Sequence, residues 1–274
     1  MLSKAVIFFT KHLAQKNISI YINRMIVANT IDEVITQLDN IIEWSNQRQS
    51  RIGYFATLYR KMTVAVKEGI ANNSFKDGKR MELLDCIFAN RYLHAWEAYV
   101  NKQKCSNAWC AAFDATDKNN LIVLQHLMLG INTHINLDLG IAAAEACPGD
   151  KIYDLQSDFE KINDVIAVLT QNVQDDLCNV WFPLKVLAKF SNNKEKVILN
   201  FSIDAARKAS WANAVALSIA SGEAKDNYIN MMDKTVVTLA NKIINPGYAA
   251  TFILKPVLTM ESKNVSDIIE MLEK

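Results

Sequence analysis

Hydrophobic residues recur every three or four positions along most of the chain, which is the period of an amphipathic helix. The clearest case is the segment 31–46, at whose start Thr30 and Glu33 have the spacing of a capping box. The same pattern predicts further helices over 52–68, 79–102, 119–147, 153–181, 195–221, 224–244 and 265–273. No segment alternates as a strand does, and residues 1–28 show no clear pattern.

Composition also favours helices, since Gly occurs 8 times and Pro 4 times in 274 residues. Sandwiches and barrels need many turns and are therefore disfavoured. Hydrophobic residues make up 50% of the chain, which is enough for a large core. Because linkers and internal repeats are missing, we predict one all-α domain over 1–274, a bundle of about eight to ten helices.

The 119–147 segment differs from the other predicted helices because apolar residues lie between its polar ones on every side of the helical wheel. A helix that lacks a continuous polar face is buried on all sides. We therefore predict that this helix lies at the centre of the bundle and ends at Pro148-Gly149.

Charge, the length of the apolar runs and cysteine content argue against several classes of protein. The 30 Lys and Arg residues against 29 Asp and Glu residues give a net charge of +1, which disfavours nucleic acid as a partner. No run approaches the roughly 18 apolar residues of a membrane span. The five cysteines form no CxxC pair, and the first apolar run is too short for a signal sequence. We predict reduced thiols and a cytoplasmic protein.

The most specific chemical signal lies on the predicted central helix. His134 and Asp138 are one turn apart, so both could bind one divalent metal, with zinc the first candidate and iron or manganese the second. Glu145 on the same stripe and Asp158 on the next helix could add ligands. The alternative, of about equal weight, is that Asp138 only orients the imidazole or that each residue bonds a neighbouring helix. For Asp158 the favoured alternative is an exposed flank or a salt bridge.

Other polar residues could complete such a site. Asp85 interrupts the apolar stripe of its helix, so we predict that it is buried and contacts a cation or at least two donors, as a metal ligand or catalytic base. His126 lies about 12 Å along the axis from His134 and is either a ligand to a second ion or a core histidine. Asn132, a further catalytic candidate, lies with Asn136 on a second polar stripe.

Several familiar chemistries have no signature in the chain. The sequence contains no GxGxxG, GxxxxGK[ST], GxSxG or HExxH motif, so no nucleotide cofactor, serine hydrolase elbow or zincin is predicted. The ExxH repeats of di-iron bundles are also missing, which disfavours that class.

Four stretches carry a more specific signal, and they are Arg51–Thr63, Phe88–Tyr92, His126–Leu139 with the sequence HLMLGINTHINLDL, and Ala206–Trp211. Together they resemble the family catalogued as domain of unknown function 5995, over about residues 30–220. The family name implies no activity. The resemblance implies that the positions to examine first are His126, Asn132, His134, Asn136, Asp138, Arg91, Tyr92, Arg207 and Trp211.

More faintly, the stretch from Gly130 to Asp138 is similar to the GxxxHxxxD helix of zinc-dependent phospholipases C and related helical nucleases. The remaining ligands of those enzymes, including an N-terminal one, are not recognisable in the chain.

Two functions of different classes follow from these observations. The first is a metal-dependent enzyme, such as a hydrolase, in which His134 and Asp138 hold a cation that activates water beside Asp85. The second is a metal-free helical protein whose buried His, Asn and Asp residues order the bundle or hold a small molecule.

Overall fold

Helices account for nearly all of the regular structure in the computed structural model, which describes residues 27–162 and 203–274 and contains no strand within them. The helices are α1 Ile31–Arg48, α2 Ile52–Ala71, α3 Gly78–Val100, α4 Asn107–Asp114, α5 Val123–Thr133, α6 Gly140–Ala146, α7 152–162, α8 Ile203–Ile219, α9 Gly222–Ile244, α10 Tyr248–Met260 and α11 Val265–Glu273. A π-helical turn, His134–Leu139, joins α5 to α6. The prediction of an all-α bundle in a single domain is confirmed.

Most predicted helices agree with the structure to within a few residues at each end. The helix predicted over 119–147 begins at Val123 and ends at Ala146, with the π-helical turn inside it. Parts of the predicted helices 153–181 and 195–221, and most of the ambiguous segment 1–28, lie outside the described residues.

Two helices were not predicted from the pattern of hydrophobic residues. α4 has only 8 residues, too few for a periodic pattern to be recognised. α10 contains Pro256, a residue that ordinarily ends a helix.

Helices α1 and α2 form an antiparallel pair that α11 covers. Thr30 Oγ1 accepts a hydrogen bond from the backbone N–H of Glu33 at 3.2 Å, as the capping-box spacing predicts. At Gly53 in α2, a Cβ atom would lie 2.5 Å from Ile269 Cδ1 of α11 and 2.7 Å from Ser45 Cβ of α1. A side chain at this position would therefore push the two neighbouring helices away.

The continuous helix from α5 through the π turn to α6 lies at the centre of the bundle. α5 packs on α2 and α9, whereas α6 packs on α3 and α8. Two glycines allow close approach, since a Cβ at Gly130 would lie 2.4 Å from the Phe55 ring and one at Gly140 would lie 2.9 Å from the Ser210 carbonyl oxygen. The prediction of a buried central helix is confirmed, because 14 of the 18 residues of α5 and α6 are buried.

Three carboxylates that are distant in sequence cap chain segments at the starts of helices. Asp158 of α7 accepts hydrogen bonds from the N–H groups of Lys76 and Asp77, at 2.7 and 3.0 Å, just before α3. Asp233 of α9 binds the N–H of Ala108 at 2.8 Å in α4. Glu261 binds the N–H of Val123 through both oxygens, at 3.2 and 3.0 Å. These contacts satisfy backbone donors that a helix leaves without partners at its N-terminus.

The cysteines depart from the prediction of reduced thiols. Cys105, in the loop before α4, and Cys110, in its first turn, form a disulfide with their Cα atoms 6.1 Å apart. The prediction is wrong for this pair because the loop folds back on the helix and brings together two residues that sequence spacing alone did not pair. Cys86 and Cys147 are free and buried, and Cys178 lies outside the described residues. The cytoplasmic location, inferred in part from reduced cysteines, stays a prediction.

Within the described segments, no helix combines the length and the apolar character needed to cross a bilayer.

Replacing Asp158 with Ala should destabilise the fold by about 3 kcal/mol, because it removes a buried acceptor and leaves the Arg80 guanidinium, 3.1 Å away, without that partner. Urea unfolding measures the change. Asp154→Ala is the matched control on the same helix, and since Asp154 is exposed it should change stability by less than about 0.5 kcal/mol. Equal effects of the two substitutions would contradict the capping role of Asp158.

Candidate functional site

The candidate site surrounds the π-helical turn of the central helix, which contains both His134 and Asp138. A π turn replaces the usual hydrogen bonds with wider i→i+5 bonds and occurs mostly as a single turn inside α-helices, frequently at functional sites. Both residues are buried, with exposed fractions of 4% and 1%. The sequence pattern predicted the polar residues of this turn but not its π geometry.

Aromatic rings enclose the imidazole of His134. Phe88 of α3 stacks on it with ring centroids 3.6 Å apart and planes 12° apart, and the ring of Tyr59 of α2 approaches edge-on at 4.3 Å. Three more rings have centroids between 5.6 and 6.2 Å away, those of Phe55, Tyr92 and Trp109. We call these five rings and His134 the aromatic–histidine cluster.

Asp138 lies beside the cluster and is held by hydrogen bonds from two other helices. Arg91 Nε of α3 donates to Oδ1 at 2.9 Å, and Trp109 Nε1 of α4 donates to Oδ2 at 2.7 Å. His134 Nδ1 lies 3.6 Å from Oδ2, slightly beyond hydrogen-bond distance. Both carboxylate oxygens are therefore already bound to donors from the protein.

The charges of Asp138 and His134 follow from these contacts. Burial alone would raise the pKa of Asp138, but Arg91, His134 and Trp109 together outweigh burial and lower it, so the carboxylate is ionised. Burial lowers the pKa of His134, with Asp138 acting in the opposite direction, so the imidazole is neutral at pH 7. A neutral imidazole has one donor and one acceptor nitrogen.

Asp85 is buried on α3, and its charge acts on the hydroxyl of Tyr59 in α2. Burial, and to a lesser extent Glu82, raises the pKa of Asp85 to about 7. The pKa of Tyr59 is raised well above its usual value by burial and then by Asp85 and Asp138, against a small opposing effect of Thr63. The predicted burial of Asp85 is confirmed, but within the described segments its Oδ2 has no hydrogen-bond partner, so the expected pair of donors is not found.

Five of the thirteen buried side-chain polar atoms without partners in the described residues lie at this place. Among the described residues no hydrogen bond reaches the hydroxyls of Tyr59 and Tyr92, Asp85 Oδ2 or either ring nitrogen of His134. The Thr63 hydroxyl near Tyr59 donates instead to a backbone carbonyl. Buried polar atoms are nearly always hydrogen-bonded, so five such atoms on adjoining helices indicate a site for a ligand or ordered water.

Two predicted catalytic residues lie outside the cluster. His126 is buried beside Tyr54, with ring centroids 6.0 Å apart, and its pKa is lowered to about 3 by burial and by Arg51. Asn132 donates to the Val236 carbonyl of α9 at 3.1 Å and accepts from Asn136 at 3.0 Å. Their catalytic roles stay predictions, but the structure does not bring either residue to His134.

The other candidate ligands also have different surroundings. Asp158 forms the salt bridge with Arg80 that the alternative interpretation predicted. Glu145 is half-exposed, and its nearest cation is Arg91 at 4.0 Å. In residues 27–162 and 203–274 no three His, Cys, Asp or Glu side chains are grouped closely enough to hold a metal ion.

Arg91 and Trp109 are the residues of the candidate site that the sequence pattern did not connect to Asp138. On the helical wheel Arg91 lies away from the Asp85 stripe, and the pattern of hydrophobic residues does not predict α4, which carries Trp109. The family resemblance did point to Arg91 and Tyr92. Arg207 and Trp211 of α8, which it also implied, contact Phe159 instead.

Comparison with known families matches residues 31–246 to a family of unknown function, DUF5995. The match covers most of the 274 residues, so the chain belongs to this family. Comparisons with curated proteins and with solved structures found no match. The fainter similarity to zinc-dependent phospholipases C stays a prediction.

Asp85→Asn should change how stability depends on pH. Since the pKa of Asp85 is about 7 in the fold and about 3.9 in an unfolded chain, only the folded state holds its proton between these values. The wild type therefore loses up to about 1.4 kcal/mol per pH unit over this range, and the loss ends above pH 7. Urea unfolding should show D85N gaining stability relative to wild type between pH 5 and 7.

The exposed residue Asp150 offers the control, and Asp150→Asn should follow the wild-type pH profile. If D85N and wild type had parallel profiles, the carboxyl group of Asp85 would be ionised like an ordinary surface aspartate.

Proposed function

We propose that the chain binds a small neutral molecule at the aromatic–histidine cluster without a metal ion. The observation that supports this function is the group of five buried polar atoms without partners on Tyr59, Asp85, Tyr92 and His134. Leaving a buried polar atom without a hydrogen bond costs roughly 1–3 kcal/mol. A ligand that supplies the missing donors and acceptors recovers this free energy when it binds.

The chemistry of the cluster favours an uncharged ligand with a flat apolar part. Arg91 and Asp138 neutralise each other, so neither charge is left for an ionic ligand. His134 is neutral, and Asp85 with a pKa of about 7 is half-protonated at neutral pH. The aromatic rings offer flat apolar surfaces, and the polar atoms include both donors and acceptors.

A ligand would enter the aromatic–histidine cluster past the side chain of Phe88. The other four rings of the cluster and His134 are buried, whereas Phe88 is only partly buried. Its ring covers one face of the imidazole at 3.6 Å, so a rotation of this side chain would expose His134. Rotations of partly exposed side chains are fast compared with ligand exchange.

A metal-dependent hydrolase is less well supported by the arrangement of donors. Zinc in proteins takes three or four ligands, and a catalytic site uses at least three from the protein. Both oxygens of Asp138 bind Arg91 and Trp109, so among the described carboxylate and imidazole groups at this place only those of His134 and Asp85 have unused atoms. A metal at this place would have to displace one of those hydrogen bonds.

Calorimetric titration with benzamide, a neutral planar amide, tests the proposal. Benzamide should bind at millimolar concentration or better, and the variants Tyr59→Phe and Tyr92→Phe should each weaken binding by about fivefold, the effect of one lost hydrogen bond. Toluene, which lacks the polar group, should bind to wild type more weakly than benzamide does. Its affinity should be the same for wild type and for the two variants.

Tyr54→Phe is the matched control, because Tyr54 is a buried tyrosine on the same helix as Tyr59 and its ring lies beside His126 rather than in the cluster. It should leave benzamide binding unchanged. Absence of benzamide binding, together with lower stability of the Tyr59→Phe variant, would show that ordered water satisfies these atoms and would overturn the proposal.

Metal analysis of protein purified without a histidine tag separates the two functions. We expect less than about 0.1 equivalent of zinc, iron or manganese per chain, because the described residues supply no third ligand at this place. One equivalent of metal that is lost in His134→Ala and kept in His126→Ala would favour the hydrolase instead.

A further inference from the structure

The disulfide between Cys105 and Cys110 encloses the residue that holds Asp138. The two cysteines are 5 positions apart, and Trp109 lies between them. The indole N–H of Trp109 donates to Asp138 at 2.7 Å, and the indole ring belongs to the aromatic–histidine cluster. The disulfide-bonded Cys110 is therefore the neighbour in sequence of Trp109, whose indole contacts Asp138 in the candidate site.

Non-covalent contacts hold the same turn. Ser106 Oγ accepts from the Trp109 N–H at 3.2 Å, and Asp233 accepts from the Asn107 and Ala108 N–H groups at 3.1 and 2.8 Å. These hydrogen bonds cap the start of α4 independently of the disulfide. Cleavage of the disulfide therefore loosens this turn rather than unfolding the chain.

The surroundings of the disulfide allow a reductant to reach it. Cys105 and Cys110 are both partly exposed, and Lys102 and Lys104 are exposed beside them. Lysines and the N-terminus of a helix favour the thiolate form, which is the reactive form in exchange. Cys86 differs from this pair, because it is buried and burial raises the pKa of its thiol to about 12.

We propose that Cys105 and Cys110 form a reversible thiol–disulfide exchange site for dithiol reductants, and that its redox state sets how firmly Trp109 holds Asp138. A thiolate of the reductant attacks one sulfur and forms a mixed disulfide while the other cysteine leaves as a thiolate. The second thiol of the reductant then displaces the first cysteine. Two electrons pass to the protein, which ends with two thiols, and the reductant ends as a disulfide.

Dithiothreitol is the probe for the exchange reaction. The oxidised full-length chain is treated with it under native conditions, and accessible thiols are alkylated and located by mass spectrometry. Cys105 and Cys110 should become labelled together, at least about tenfold faster than Cys86 and Cys147. Labelling of this pair only after denaturation, or failure of the pair to re-form a disulfide in oxidised glutathione, would overturn the proposal.

The indole N–H resonance of Trp109, assigned by its loss in Trp109→Phe, reports the effect at Asp138. In oxidised protein it should exchange slowly with solvent, and reduction should speed its exchange by on the order of tenfold while circular dichroism stays unchanged. The double variant Cys105→Ala, Cys110→Ala should behave like reduced wild type. A Trp109 resonance that reduction does not change would overturn the link to the site.

The influence of the redox state on ligand binding rests on the proposed function, whereas the exchange reaction and the Trp109 resonance do not. If benzamide does not bind but the Trp109 resonance responds to reduction, the proposed function fails and the redox site stands. If benzamide binds equally to oxidised and reduced protein and the resonance is unchanged, the redox inference fails and the proposed function stands.

Discussion

The ion pair between the buried Asp138 carboxylate and Arg91 fixes the arrangement of the helices around the site. A charge that is 1% exposed is tolerated only if its partners are in place, because an unpaired buried charge costs several kcal/mol. Arg91 comes from α3, and the second donor, Trp109, comes from α4. The carboxylate therefore sets the positions of both helices against the central one.

Buried carboxylates also connect helices elsewhere in the bundle. Asp158, Asp233 and Glu261 each accept hydrogen bonds from backbone N–H groups about 80 to 140 residues away in the sequence. A chain with few glycines and prolines has few tight turns with which to fix the angle between successive helices. Caps from distant helices fix these angles, and each cap is a polar contact with defined geometry rather than general apolar packing.

The fold was predictable from the sequence to a large extent, because helices and their buried faces follow from periodicity, which is a local property. The buried central helix and the capped start at Thr30 show this. The partner of Asp138 was not predictable in the same way. Whether Arg91 reaches Asp138 depends on how two helices are rotated about their axes, and the pattern along one helix contains no information about the other.

The disulfide and the unused polar atoms were unpredictable for a similar reason. Cys105 and Cys110 meet because the loop before α4 folds back, and loop paths have no periodic signal. Asp85 was recognised as a carboxyl group within an apolar stripe, but its lack of a donor depends on which side chains α2 presents to it. Sequence thus identified residues with unusual surroundings, and only the fold shows which of them share a site.

The π turn explains how one helix meets close neighbours on two sides. Gly130 and Gly140 are ten residues apart, which in an uninterrupted α-helix would place them about 80° apart around the axis. The wider π turn accommodates one extra residue, so the ten-residue spacing corresponds to nine residues of α-helix. Nine residues rotate the direction of a side chain by about 180°, so the two glycines lie on opposite sides. Gly130 then meets Phe55 of α2 while Gly140 meets Ser210 of α8. The same turn contains His134 and Asp138, so the change of helical phase that permits this packing also shapes the candidate site.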